Sequence, residues 1–265
     1  MKVNVLIICV GILFGGAFTA NAQSPYQLNW KKEFMYYGSG LTTIGLGAYQ
    51  RSKTPLYTTN DLENLDASFI NSLDQPAVDQ FSLAAHHASD YFWYGSFSAP
   101  LWSLVGQKSR KHFGQVAALW GEVVFINSGL TLLTKYTVRR TRPFVYNQDA
   151  PLTKKLTPNA KGSFFSGHTS MTAANTFFAA KVFADFYPDS PWKPVVWGLG
   201  ASIPAITGYL RVKGGRHFPT DVITGYIVGA AVGILVPHWH KKPKLNDKGL
   251  KLDLGYNAAR LKWVF

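Results

Sequence analysis

Three short clusters in this chain hold residue types that could handle a phosphate group. The stretch from Leu210 to Asp221 packs Arg211, Lys213, Arg216, His217 and Asp221 between two apolar segments. His217 and Asp221 are four residues apart and Pro219 is placed to open a helix. The carboxylate therefore falls on the first helical turn, where it can fold back under the imidazole and fix its tautomer. Lys135, Arg139, Arg140 and Arg142 put four cations into eight residues, and Pro143 then stops the preceding helix. Ser166, Gly167, His168 and Thr169 stand directly before an apolar run, where the unpaired amides and dipole of a helix N-terminus favour a bound anion. Each cluster alone has an ordinary explanation: a charge run flanking a helix, a Ser-Gly cap, a structural histidine on a turn.

Apolar segments separate these clusters and must position them. Residues 91–107 carry no charge, 113–134 only Glu122, 170–184 only Lys181, 194–210 none and 222–239 none. They are expected to form five helices of about the length that spans a bilayer. Residues 34–49 are weakly apolar but carry four glycines, which argues against a span there. The expected fold is all-α, a membrane-spanning bundle of five to six helices, with a soluble bundle as the alternative. After Trp239, apolar residues alternate at Leu250, Leu252 and Leu254 and again at Leu261 and Trp263, the pattern of a short C-terminal hairpin.

The chain divides into a signal peptide at 1–22, a polar and weakly apolar segment at 23–90, a helical domain at 91–240 and a basic tail at 241–265. Lys2 precedes an apolar run from Val3 to Phe18, and Ala20-Asn21-Ala22 offers the small residues of a cleavage site. An uncleaved anchor helix is the alternative. Cys9, the only cysteine, lies in that run, so the cleaved chain has no disulfide or thiolate. The balance of 27 Lys+Arg against 14 Asp+Glu, a formal +13, suits an anionic partner. Charged residues make up only 15%, equal to the aromatic share, which fits a membrane-associated helical protein and argues against a nucleic-acid binder. Lys108, Arg110, Lys111, Lys193, Lys241, Lys242 and Lys244 fall on one side if all five segments cross. The positive-inside rule makes that side cytoplasmic and puts the three clusters on the exported face, facing the periplasm from an inner membrane.

Taken together, Lys135 to Arg142-Pro143, Ser166-Gly167-His168-Thr169, and Arg211 with His217 and Asp221 resemble the three signature motifs of the type-2 phosphatidic acid phosphatase superfamily. That superfamily also contains bacterial acid phosphatases and vanadium haloperoxidases. The resemblance covers about Phe113 to Trp239 and departs from the pattern twice: Phe165 stands where a proline usually precedes Ser-Gly-His, and Leu210 where a serine usually precedes the arginine. It implies that His217 attacks phosphorus, oriented by Asp221, and that His168 protonates the leaving oxygen. Lys135, Arg142, Ser166, Gly167 and Arg211 would bind the phosphoryl oxygens, with no metal and no cofactor. Arg139, Arg140, Lys213 and Arg216 would be surplus charge for steering or headgroup contact. The implied substrate is a phosphorylated lipid in a membrane. A soluble broad-specificity acid phosphatase and a non-catalytic headgroup binder are the alternatives.

Overall fold

The computed structural model describes residues 24–242, 249–255 and 258–264. The signal peptide expected at 1–22 lies outside them. Among the described residues, six helices exceed a dozen residues: α1 (Trp30–Ser52), α2 (Leu83–Ser96), α3 (Phe113–Val138), α4 (Gly167–Phe186), α5 (Lys193–Lys213) and α6 (Pro219–Trp239). The all-α bundle is as expected, and so is the hairpin. β1 (Gly249–Gly255) pairs antiparallel with β2 (Ala258–Val264), from Gly249 opposite Val264 to Gly255 opposite Ala258.

Helix α4 is the centre, packed by α6, α5, α3 and α2. Buried residues lie all round it, from Thr169 and Ser170 to Phe178 and Val182, and most are small. Its closest neighbour is α6, where Gly225, Gly229 and Gly233 repeat every four residues and so share one face. A Cβ at these positions would come within 2.6 Å of the Ser166 carbonyl oxygen, 2.0 Å of Ser170's and 2.4 Å of Ala174's. The two backbones meet because α6 has no side chain there.

Residues 34–49, where four glycines argued against a span, lie within the continuous helix α1, which is not among the stretches long and apolar enough to cross a membrane. Its glycines are contact points: a Cβ at Gly40 would sit 2.9 Å from Phe125, and one at Gly47 2.6 Å from the Leu133 nitrogen. Packing against α3 outweighs their low propensity of about 1 kcal/mol each. Residues 91–107, read as one helix, are instead the end of α2 followed by a 3-10 segment at Ala99–Leu104, opened by Pro100, and a short turn at Gln107–Arg110.

Of the five expected spans, three helical stretches are long and apolar enough to cross a membrane: Phe113–Tyr146, Lys193–Lys213 and Pro219–Trp239. Leu199, Ile206, Ile223 and Ile227 project outward from the last two. Helix α4 is not among them, because threonine, serine and asparagine lower its hydropathy where it faces other helices.

Candidate active site

All three clusters lie at one end of the bundle, where α3 and α5 finish and α4 and α6 begin. Lys135 is on the last turn of α3. Arg139, in the left-handed conformation with φ 54°, turns the chain so that Arg142 comes back toward the bundle. Arg211 is on the last turn of α5, and all three of these cations are buried.

Carbonyl groups fix the first two cations without neutralising them. The Lys135 Nζ donates to the Gly162 and Ser163 carbonyls at 2.7 and 3.3 Å. The Arg142 guanidinium donates to the Asn159 carbonyl (2.8 Å), the Asn159 Oδ1 (2.9 Å) and the Arg216 carbonyl (3.1 Å). Among the described residues, neither has a carboxylate within ion-pairing distance. Arg211 Nη1 reaches the His86 Nδ1 (3.0 Å), the Ser89 Oγ (3.1 Å) and, more loosely, the Asp90 Oδ1 (3.5 Å), while its Nε has no hydrogen-bond partner. A buried group of cations with so little negative charge among them favours an anion from outside.

Ser166 caps α4, its Oγ accepting from the Thr169 amide at 3.4 Å. Gly167 opens the helix, and a Cβ on it would press to 2.9 Å from Thr131 and 3.5 Å from the Lys135 stem. Glycine therefore lets the lysine pass beside the helix N-terminus. His168 follows on the first turn, with its Nε2 2.8 Å from the Asp90 Oδ1 and its ring tilted against Trp93.

His217 is 1% exposed, with Nε2 3.5 Å from the Arg142 Nη1. Its Nδ1 faces the Asp221 Oδ2 at 3.7 Å, too long for a hydrogen bond, and has no other partner. The tautomer-fixing bond expected from the spacing is therefore not made. The Asp221 carboxylate instead accepts from the Phe218 amide (2.9 Å), the Ser163 hydroxyl (2.5 Å) and Arg140 Nη1 (2.6 Å), which makes it the anchor of the α6 N-terminus.

Arg140 was read as surplus charge and is structural. It bridges Asp221 and Asp74 at 2.6 Å each and lies over the Phe218 ring. Asp74 also accepts from the Thr220 amide and hydroxyl and from Asn71. Burial pushes the Asp74 carboxyl up, but the hydrogen bonds from Thr220 and Arg140 prevail and hold it below the ordinary carboxylate range. Arg216, also read as surplus, is buried over Phe144.

Sequence reasoning missed the contribution of α2. His86, Ser89, Asp90 and Trp93 occupy one helical face, and all reach Arg211 or His168. The signal was present as that 3–4 spacing behind the Ser82 cap, but a search for charge-free runs passes over it. Helix α2 continues unbroken across the change in composition at residues 90–91.

The histidines feel the cations. Burial first, then the charges of Lys135, Arg142 and Arg211, hold the His217 imidazole well below its ordinary value. Burial, then Arg211, Arg142 and Lys135, do the same to His168. His86 is lowered to about 3, by burial and by Arg216 and Arg211. A bound phosphate dianion offsets these charges, so its arrival raises the affinity of His168 for a proton.

Residues 116–244 match the family model of the PAP2 superfamily, and all eight residues expected to carry the chemistry fall inside that match. The chain is similar to the PAP2 superfamily over that segment, just under half of its length. A curated relative, the lipid A 1-phosphatase of Porphyromonas gingivalis, is 28% identical over 169 residues, which is 60% of this chain and 32% of the relative. The chain thus spans about a third of the length of the curated relative it matches. Among solved structures, the first transmembrane PAP2 type phosphatidylglycerolphosphate phosphatase from Bacillus subtilis is 21% identical, with a TM-score of 0.47. The likeness covers 80% of this chain and 99% of that one. Among the described residues three helices are long and apolar enough to cross a membrane, which supports a membrane protein.

Proposed function

We propose that this chain is a phosphatase that removes phosphate from lipid monoesters or diphosphates through a phosphohistidine on His217. The observation that carries the reading is the arrangement around the His217 Nε2. Three buried cations act on the His217 ring, with Arg142 3.5 Å from its Nε2, and among the described residues two of them have no carboxylate within ion-pairing distance.

The phosphoryl group sits against Lys135, Arg142 and Arg211 with its remaining oxygens toward Ser166 and the Gly167 amide. The Nε2 lone pair attacks phosphorus in line and the bond to the leaving oxygen breaks. His168, protonated once the dianion has offset the cations, gives that oxygen a proton, an effect worth about 10² to 10⁴ in rate. Attack leaves positive charge on the imidazole. Closing the 3.7 Å gap between Nδ1 and Asp221 then forms the hydrogen bond that stabilises it, since such contacts tighten in the reacting complex. Water, deprotonated by His168, next cleaves the P–N bond and releases phosphate. Every charge this sequence needs is supplied by the chain itself, so the reaction is expected to proceed without a metal.

A groove of about 620 Å³ between α2 and α5 is lined by Phe81, Ala84, Ala88, Tyr209 and Leu210, with Asp79, Gln80, Ser82 and Lys213 as its polar members. It suits an acyl chain whose headgroup reaches the cations, and it gives Leu210 a role that a serine would not fill. The basic residues at 108–111, Lys193 and Lys241 lie at the opposite end of the helices. This supports an inner-membrane protein with the site facing the periplasm.

The test is phosphate release from a panel of lipid phosphates, lipid diphosphates and soluble monoesters, with and without chelator. The lipid reading expects turnover of lipid phosphates to exceed that of soluble monoesters and to survive chelation. Equal turnover of both classes by protein from a salt-washed soluble fraction would instead identify a soluble acid phosphatase.

A further inference from the structure

Glu122 is the lone charge in residues 113–134, and phosphate chemistry finds no use for it. It lies 13 residues before Lys135 on α3, about 20 Å away along a helix axis, and is 0% exposed. Beside it are Glu33 on the first turn of α1 and His240 directly after α6, both buried. One nitrogen or oxygen from each of the three lies within 4.8 Å of the others. The three side chains come from three parts of the bundle and meet at the end opposite the catalytic cluster.

Their bonding is incomplete. Both Glu122 oxygens, the Glu33 Oε2 and the His240 Nε2 have no hydrogen-bond partner. The Glu33 Oε1 accepts from the Asn29 amide at 3.0 Å. Among the described residues no lysine or arginine pairs with either carboxylate; the two carboxyl groups face one another and His240, and burying two such groups together without a cation is costly. The histidine is set for a ligand: its Nδ1 lies 2.8 Å from the Val236 carbonyl. That bond holds the ring with Nε2 turned toward the carboxylates, and it is the outer hydrogen bond that metal-binding histidines make.

The two separations from the histidine suit a tetrahedral ion. The His240 Nε2 lies 3.3 Å from the Glu33 Oε1 and 3.5 Å from the Glu122 Oε2. Tetrahedral ligands at the usual zinc bond lengths of about 2.0–2.1 Å are separated by about 3.4 Å. An octahedral magnesium would draw its ligands to about 3.0 Å and does not favour an imidazole. We propose that Glu33, Glu122 and His240 hold a structural zinc ion, completed by a water or the second Glu33 oxygen. Two carboxylates and a neutral imidazole balance its charge, so the buried site is neutral. The ion clips α1 and α3 to the end of α6, where the chain also closes through the Tyr26–Lys241 bridge and the Gln27 amide to His240 carbonyl bond at 2.8 Å.

The full-length protein in detergent is equilibrated with Zn²⁺, washed, and its metal content measured by mass spectrometry, with Mg²⁺ as the comparison. About one zinc per chain is expected in the wild type and in His217→Ala, with no retained magnesium. Zinc affinity is expected to fall by more than about 10- to 100-fold in Glu122→Gln and His240→Gln, since losing a ligand exceeds the effect of losing an outer hydrogen bond. Chelation should lower Tm in the wild type but not in those variants, and below the unfolding temperature it should leave phosphate release intact. If either variant fails to fold, Co²⁺ substitution of the wild type decides: a tetrahedral oxygen–nitrogen spectrum is expected, preserved in His217→Ala. Wild type that retains no zinc, or a folded Glu122→Gln variant that binds it equally well, overturns the proposal. The metal content reads independently of enzymatic activity, so its failure and that of the phosphatase reading are separable.

Discussion

The two ends of the bundle bury charge of opposite sign. Where α4 and α6 begin, Lys135, Arg142 and Arg211 outnumber the carboxylates near them. Where α1 and α3 begin, Glu33 and Glu122 have only a histidine. Between these extremes stands the Asp74–Arg140–Asp221 set, in which one cation bridges two carboxylates at 2.6 Å. The contrast separates architecture from receptor: hydrogen-bonded pairs of opposite sign hold elements together, whereas an excess of one sign in a low-dielectric site is completed by a ligand of the other.

Substitutions can break this contrast at several points. The largest effect is expected for His217→Ala, with phosphate release falling at least about 10⁴-fold, as when a nucleophile is removed, while membrane insertion persists. Full activity in that variant would remove the phosphohistidine mechanism. Arg140→Met leaves two buried carboxylates unpaired and is expected to cost about 3–5 kcal/mol in denaturant unfolding. If stability were unchanged, Arg140 would belong with the receptor cations after all. For Arg142→Lys the fold should remain and turnover should drop about 10²- to 10³-fold, because a point charge cannot replace the fork clamped by Asn159. The smallest effect is expected for Asp90→Asn, about tenfold in kcat within the range for acid catalysis. The readout that matters there is the pH profile. Without the carboxylate, His168 holds its proton less well, its pKa falls, and the alkaline limb of kcat should move to lower pH. A loss of rate with an unmoved limb would make Asp90 merely structural.

The proposed catalytic cluster could be read from the sequence because its residues fall within one or two turns of each other. Ser166, Gly167 and His168 are consecutive, and Arg211 to Asp221 spans one helix junction. Residues brought in by packing were not legible. Asp90 and His86 ride on a helix whose mixed polar surface gives no apolar run, and Asp74 meets Arg140 across 66 residues. The partner of Asp221 was misjudged for a related reason. A spacing of four made His217 reachable, but the carboxylate had three better donors in Phe218, Ser163 and Arg140. The glycines of α1 argued against a span, but glycine propensity says nothing of the partner helix that the missing side chains admit. Glu33, Glu122 and His240 are spread over 208 positions and have no local spacing at all.

The glycine row of α6 has a bearing on substrate range. With carbonyl oxygens of α4 pressed against Gly225, Gly229 and Gly233, that seam has no width for hydrocarbon and cannot be widened without displacing Ser166. It serves as a fixed wall that holds the reacting groups in register, while α2 and α5 form the adjustable one. If the proposed lipid substrate is right, redesign toward longer, branched or multiply acylated substrates belongs at Ala84, Ala88, Tyr209 and Leu210, which line the groove between α2 and α5.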